Sequence, residues 1–290
     1  MSEVVAIVLT WNNYPDTAEC LRSLQKSGCI KIICVDNGSK DGSTEKLMKE
    51  FPDVEWVLSP INVGVAAGFN LGLSYAKSIT TEYILILNND VVIKEGAIEI
   101  LKNFMDNNRE VGLAMPKIVY YDDNTKIWSV GARLRKFPPA IVMIGFNKMD
   151  GREFNKKSQI QFAPACCIMI RKQIVVDVGL FDESHFIYFN DWDYSLRIRQ
   201  SGFLLFCVPD AIVYHKGSRS IGRIRRSPFF WKSFGKSAAL FYLNPKFPHK
   251  ILGLFCLAYL LLRESLFNGL LSGYYLFEGI IKGIRDVYRI

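Results

Sequence analysis

The sequence predicts an α/β fold: a mostly parallel sheet with helices on both faces, followed by apolar C-terminal helices. Two observations carry this. In the first third of the chain, short β-branched or apolar runs alternate with helical stretches, the pattern of right-handed βαβ units. The run Tyr83-Ile-Leu-Ile-Leu87 is apolar without a break and stops at Asn88, Asn89 and Asp90, which reads as a strand buried on both faces. Polar groups just past the carboxyl end of such a strand stand where ligands bind in open α/β sheets, or else they close a core strand with a polar turn.

The elements follow in order. Val4 to Leu9 is a β-branched strand ending at Thr10-Trp11-Asn12-Asn13, and Pro15 opens a helix to about Lys26. Ile30 to Val35 is the second strand, and the turn formers Asp36 to Ser43 follow it, with Ser43 placed to cap the next helix. Val54 to Leu58 is a third strand. After Pro60-Ile61-Asn62-Val63-Gly64 a helix rich in small residues runs to about Lys77. Beyond the Tyr83 strand, Glu95 to Asn107 is an amphipathic helix and Gly112 to Tyr121 a strand. Residues 122–160 read as hairpins and loops, Phe162 to Ile170 as a buried apolar segment. Phe186-Ile-Tyr-Phe-Asn-Asp-Trp-Asp193 leads into a helix ending near Gly202. Two short strands, Phe203 to Val208 and Ala211 to Tyr214, precede His215 and a basic loop with Lys216, Arg219, Arg223, Arg225 and Arg226.

Composition sets the class of partner. Half of the 290 residues are hydrophobic, enough for a sizeable core and against global disorder. The net charge of +8 suits an anionic partner: a nucleotide, a phosphate, a nucleic acid or a membrane surface. The seven cysteines show no CxxC pair and read as packed, reduced thiols. Met1-Ser2-Glu3 running into a strand does not have the form of a secretory signal, so a cytosolic setting is expected.

Several side chains have two readings. Asp36 can accept the imide N–H of a uracil or thymine ring, or serve an Asx-turn. Gly64, Gly68 and Gly72 can let backbone approach a diphosphate at a helix start, or pack a helix tightly. Asp90 offers an oxygen ligand to a divalent cation, and His215 a nitrogen. Asp191 can act as a general base, cap a helix, or do both; Asp193 reads as a first-turn residue paired with Arg197. The basic loop reads as a phosphate clamp or membrane-facing patch, since no nucleic-acid module accompanies it. In the tail, Ile251 to Leu262 and Ser265 to Phe277 are apolar and separated by Arg263-Glu264. Twelve helical residues span roughly 18 Å against roughly 30 Å of hydrocarbon. Interfacial helices on a membrane, or a helical pair packed on the domain or in a homo-oligomer, are the alternatives.

With these residues in place, the chain resembles the family 2 inverting glycosyltransferases of the GT-A (Rossmann-like) fold, in particular the rhamnosyltransferase-like branch. The matching segments are Ile7-Val-Leu-Thr-Trp-Asn12, Val35-Asp-Asn-Gly-Ser-Lys-Asp-Gly-Ser43, Asn62-Val-Gly64 with Gly68-Phe-Asn70, Leu87-Asn-Asn-Asp-Val91, Phe189-Asn-Asp-Trp-Asp193 with Arg197, and His215. The resemblance implies that Thr10, Trp11, Asn12 and Asp36 hold the base and ribose of a nucleoside-diphosphate sugar. It implies that Asn62, Gly64, Asn70, Asn89 and Asp90 line the donor pocket, that Asp90 and His215 hold Mg²⁺ or Mn²⁺, and that Asp191 is the base. Two positions depart from the family pattern: the metal motif here is Asn-Asn-Asp with one carboxylate, and Asn190 stands where the family carries Glu.

The expected reaction is an inverting transfer from a UDP- or dTDP-sugar to a glycan or lipid-linked oligosaccharide at the cytoplasmic face of a membrane. Residues 1–227 form the expected GT-A domain, with a nucleotide-sugar half to about 92 and an acceptor half from about 93. Residues 228–290 form a membrane-associated helical region. The rival classes are a non-catalytic basic protein binding membrane or nucleic acid, and a sugar nucleotidyltransferase. Against the latter, Thr10 to Thr17 lacks a glycine- and basic-rich phosphate signature.

Overall fold

Strand β1 (Val4–Thr10) is buried over its whole length and lies between β2 (Lys31–Asp36) and β4 (Tyr83–Asn88), parallel to both. The computed structural model describes residues 4–27, 31–217, 227–247 and 250–288. Arg219, Arg223, Arg225 and Arg226 of the basic loop lie outside them. Helix α1 (Tyr14–Gln25), with proline in its first turn, links β1 to β2. Helix α2 (Ser43–Glu50) leads to β3 (Glu55–Leu58), which pairs in parallel with β2. The residue at the N-terminal boundary of α2 is Gly42 in a left-handed conformation, not the expected Ser43. Helix α3 (Val65–Ala76) packs on β1 and β2. Gly68 and Gly72 of α3 meet Leu9 and Ile7 side chains so closely that a Cβ at either would collide, so tight packing explains both.

Tyr83 to Leu87 are each at most 1 % exposed. Burying five such side chains contributes of order 10 kcal/mol, which is why an unbroken apolar run settles as the central strand.

The sheet continues beyond β4 with mixed directions. Next come β5 (Val91–Ile93), α4 (Ala97–Asp106), β6 (Val111–Tyr120), β7 (Ile127–Ser129), β8 (Ala132–Arg135), β9 (Ala140–Met143), β10 (Ser158–Gln159) and β11 (Cys167–Arg171). Helices α5 (Lys172–Asp177) and α6 (Asn190–Gln200) precede β12 (Leu204–His215). The strand order is β10-β12-β6-β11-β4-β1-β2-β3, with β5 on β12, β7 on β6, and β8–β9 a separate hairpin. β11 is antiparallel to both neighbours, while β6 and β12 are parallel. The two expected strands after Gly202 are one strand. Pro209 has no amide hydrogen to donate, and the register shifts between Val208 and Ile212 without ending the strand.

The C-terminal helices α7 (Pro228–Tyr242), α8 (Lys250–Asn268) and α9 (Leu270–Tyr288) build a second apolar cluster, joined by Phe162, Phe189 and Leu196. Ser227 caps α7 by accepting the Phe230 N–H at 3.2 Å. α9 runs parallel to α7, as the Lys232–Glu278 and Lys236–Asp286 ion pairs at 3.0 and 2.7 Å require. Their backbones touch: a Cβ on Gly235 or Gly279 would strike the Leu276 or Lys232 carbonyl oxygen. The first apolar stretch does not end at Leu262. α8 continues through Arg263 and Glu264, which pair with each other, and Gly269 makes the break instead. Among the described residues, Ile251–Asn268 is the one helical span long and apolar enough to cross a membrane. Ile251, Phe255, Leu266, Phe267, Leu270 and Leu271 on α8 and α9 are exposed.

Candidate active site

β1 lies between β2, which leads on to β3 on one side, and β4 on the other, so the sheet order reverses between β1 and β4. A cavity of about 400 Å³ opens at the carboxyl ends of these two strands, the place where the fold leaves room for a ligand. Leu9, Thr10 and Trp11 line it from β1, and Asn88, Asn89 and Asp90 from β4. The Asn89 side-chain amide donates to the Thr10 and Thr17 hydroxyls at 3.2 and 2.8 Å, and the two hydroxyls are 2.8 Å apart. This buried polar knot ties the two strand ends together.

Asp36 pairs with Thr10 in the β1–β2 register but does not line the cavity. Its carboxylate accepts the Ser39 backbone N–H at 3.2 Å and the Ser39 hydroxyl, as an Asx-type turn does. Asn12, in the left-handed region at φ 57°, donates its N–H to Ser39 Oγ at 2.6 Å and accepts the Lys40 N–H at 2.9 Å. The loops after β1 and β2 are thereby laced together. Neither side chain is free of the turn it stabilises, although an ionised carboxylate keeps further acceptor positions.

Asn62 and Gly64 also line the cavity. Gly64 has φ 90°, and a Cβ there would lie 2.6 Å from the Phe186 carbonyl oxygen, which accepts the Val65 N–H at 2.8 Å. Only glycine allows the start of α3 to meet the 186 segment this way. Asn37 organises the turn: it accepts the Val63 N–H at 2.9 Å and donates to Asn62 Oδ1 and the Gly64 carbonyl. Asn70 lies outside the cavity lining. Its side chain brackets Phe181, donating to the carbonyl and accepting from the N–H at 2.9 Å each, and donates to Glu183.

β5 runs antiparallel to β12 with Val91 opposite His215, and the Lys216 N–H donates to the Asp90 carbonyl at 3.0 Å. This ladder brings His215 Nε2 to 3.4 Å from Asp90 Oδ1, both side chains being nearly inaccessible. Neither ring nitrogen of His215 has a hydrogen-bond partner among the described residues, and the ring rests on Trp128 with centroids 4.4 Å apart. One nitrogen and one oxygen donor 3.4 Å apart fit the edge of a divalent cation's coordination shell. Lys216 is not available to a diphosphate: its ammonium is buried and held by Asp16 at 2.7 Å and by Glu19.

Asp191 lies in the first turn of α6, whose boundary residue is Phe189; the expected cap at Asp191 therefore sits two residues earlier. Asp191 Oδ1 accepts the Trp192 N–H at 3.0 Å, and its carboxylate also receives the Ala165 N–H. Burial pushes its pKa from 3.8 up to about 6, outweighing those hydrogen bonds. Ala165, whose N–H the Asp191 carboxylate receives, is followed by Cys166, and the Cys166 carbonyl accepts the Asn88 N–H at 3.1 Å. Asp191 therefore adjoins the Asn88–Asp90 corner without lining the cavity itself. The turn before it is strained, with Tyr188 and Phe189 at φ 59° and 60°. A left-handed non-glycine residue costs about 1–2 kcal/mol. Tyr188 packs on Phe230 and Phe234, and Phe189 on Phe234, Phe241 and Tyr242, with ring centroids 5.3–5.7 Å apart. Each such pair contributes about 0.5–1.5 kcal/mol, enough together to hold the turn.

Asp193 pairs with Arg197 at 2.7 Å, as the i+4 spacing anticipates. Asp182 and His185 lie beside it, and burial lowers the His185 pKa despite both carboxylates. With Arg197 already neutralising Asp193, this cluster reads as a structural ion-pair network. Beyond the expected site residues, the structure adds Asn37, Thr17, Phe186, Ile187, Phe229 and Phe230 to the site. Asn37 was visible in Asp-Asn-Gly but reads there as turn chemistry; the apolar four carry no local signal.

Two solved structures share this architecture. A structure of GalNAc-T7 with UDP, GalNAc and Mn²⁺ superposes with a TM-score of 0.63 at 15% identity, over 88% of this chain and 54% of that one. The chain thus spans about half of that structure's length. Residues 1–349 of TarS from S. aureus give 0.57 at 17%, over 91% and 72%. The fold is that of the GT-A glycosyltransferases. The sequence narrows this: the model of Glycosyl transferase family 2 matches residues 5–179, and the chain belongs to that family. The N-acetylglucosaminyl-diphospho-decaprenol L-rhamnosyltransferase of Mycobacterium tuberculosis is 22% identical, over 77% of this chain and 79% of its own. The dTDP-rhamnosyl transferase RfbF of Shigella flexneri is 24% identical, over 76% and 71%. The chain is therefore a glycosyltransferase, and the nucleotidyltransferase and non-catalytic readings fall away. Asp191 and His215 lie beyond the matched residues.

Proposed function

We propose that this glycosyltransferase moves a hexosyl unit from a UDP- or dTDP-sugar to a hydroxyl of a glycan or lipid-linked oligosaccharide, with inversion at the anomeric carbon. The observation that carries the reading is geometric: Asp90 lines the cavity corner with His215 Nε2 3.4 Å behind it, and the Asp191 carboxyl, its pKa raised by burial to about 6, adjoins that corner. A base of that pKa is ionised at neutral pH yet basic enough to take a proton.

Thr10, Trp11, Asn12 and Asp36 bind the base and ribose. Asn62, Gly64 and Asn89 shape the donor pocket, and Asn70 acts from behind by fixing the 181–183 segment. Asp191 takes the acceptor hydroxyl proton as the new C–O bond forms and the anomeric carbon's bond to the diphosphate breaks. Asp90 and His215 would hold Mg²⁺ or Mn²⁺, whose charge offsets that of the departing nucleoside diphosphate. The exposed apolar faces of α8 and α9 suit peripheral contact with the cytoplasmic face of a membrane, where a lipid-linked acceptor for cell-envelope polysaccharide resides. The names of the two rhamnosyltransferase relatives support a deoxyhexose donor and a polyprenyl-diphosphate acceptor.

The test is hydrolysis and transfer with a panel of nucleotide sugars, with and without Mn²⁺. One UDP- or dTDP-sugar should be turned over, and EDTA should abolish the reaction reversibly. Turnover of none of the panel under any metal condition would sink the reading.

A further inference from the structure

The segment carrying Asp191 is fixed at one end by Asn70, which brackets Phe181, and by the Val65 N–H on the Phe186 carbonyl. At the other end α6 begins at Asn190. Between them stand Tyr188 and Phe189, two consecutive left-handed residues without a glycine to relieve them. The rings that meet theirs come from one face of α7, at Phe230, Phe234, Phe241 and Tyr242. Phe234 touches both, with centroids 5.3 Å from Tyr188 and 5.5 Å from Phe189, and it is only half-buried. It lies well outside the residues the family model matches.

We propose that Phe234 is a positioning residue for the transfer step: through Tyr188 and Phe189 it holds the left-handed turn that aims Asp191 at the acceptor hydroxyl. The C-terminal helical layer is then a working part of the active site as well as a membrane contact. This rests on the reading of Asp191 as the base. Phe234 touches none of the cavity lining from β1 or β4; its stacked neighbour Phe230 does line the cavity, but keeps its ring contacts with Tyr188 and Trp231 when the Phe234 ring is lost. A misaimed base slows transfer without loosening the donor.

The experiment measures steady-state kinetics and donor affinity of Phe234→Ala, with Phe234→Leu read alongside because it keeps apolar volume without a ring. Both should lower kcat by about 10–100-fold, the effect of a misplacement of about an ångström, while donor KM and Kd stay within about twofold. Phe234→Tyr, which keeps the ring, should restore kcat. Combined with Asp191→Asn, Phe234→Ala should cause no further loss, since it acts through that carboxylate. Unchanged kcat in both ring-less variants, or parallel loss of kcat and donor affinity, overturns the proposal. Should Asp191→Asn itself retain full activity, the base reading fails, and that result is independent of anything seen at Phe234.

Discussion

Replacing Asp191 by Asn should divide stability from turnover. Burial lifts this carboxyl from 3.8 to about 6. Between those values the folded chain binds the proton more tightly than the unfolded chain, so stability falls as pH rises through the window. The cost is fully present at pH 7 and absent below about pH 4. Two pH units correspond to about 3 kcal/mol. The residue keeps partial contact with water, and solvent screening reduces the figure to about 1–2 kcal/mol. Asn can still accept the Trp192 N–H, but its NH₂ would face the Ala165 N–H, returning about 1 kcal/mol. Asp191→Asn should therefore be as stable as the parent or about 1 kcal/mol more stable at pH 7, with Tm unchanged or raised by roughly 2 °C. That gain should vanish at pH 4. Its kcat should fall by about 10²–10⁴-fold. The parent's kcat/KM should climb through pH 6 to a plateau, and the residual activity of the variant should lack that limb. Calorimetry and pH-resolved kinetics measure both. Activity within about tenfold of the parent, or an unchanged acid limb, refutes the reasoning.

Three further outcomes follow from the geometry. Gly64→Ala places a Cβ 2.6 Å from the Phe186 carbonyl oxygen at φ 90°; it should cost at least about 1–2 kcal/mol and raise donor KM, checked by melting and donor titration. Lys216→Met strands the buried Asp16 carboxylate; a loss of about 3–5 kcal/mol is expected in urea unfolding. Changing Phe267, Leu270 and Leu271 to Ser should abolish sedimentation with anionic liposomes while transfer to a soluble acceptor persists. If the same change instead converts an oligomer to a monomer, these faces cover a second copy.

The parallel half of the fold was legible because strands buried on both faces leave unbroken apolar runs, as at Val4 to Leu9 and Tyr83 to Leu87. Polar residues at the ends of those runs located the cavity for the same reason. Strand direction was not legible: Cys167–Arg171 is as apolar as β4, and nothing in its composition says that it runs antiparallel. The bulge at Pro209 looked like a strand end because proline marks both. Arg263-Glu264 looked like a helix boundary because charge is rarely carried inside an apolar run, yet the two neutralise each other and the helix passes through. The pairing of Asp90 with His215 depends on the β5–β12 register, a long-range fact that no local pattern records. Phe234, Phe241 and Tyr242 of α7 carry no local signal beyond hydrophobicity; their role comes from the rings of Tyr188 and Phe189 that they meet.

Helices α7 and α9 meet main chain to main chain across Gly235 and Gly279. Contacts of that kind have no side-chain cushion to absorb displacement. The consequence is mechanical: a tilt imposed on the α8–α9 hairpin is passed on to α7 as to the other arm of a stiff lever, and from its ring face to the turn that carries Asp191.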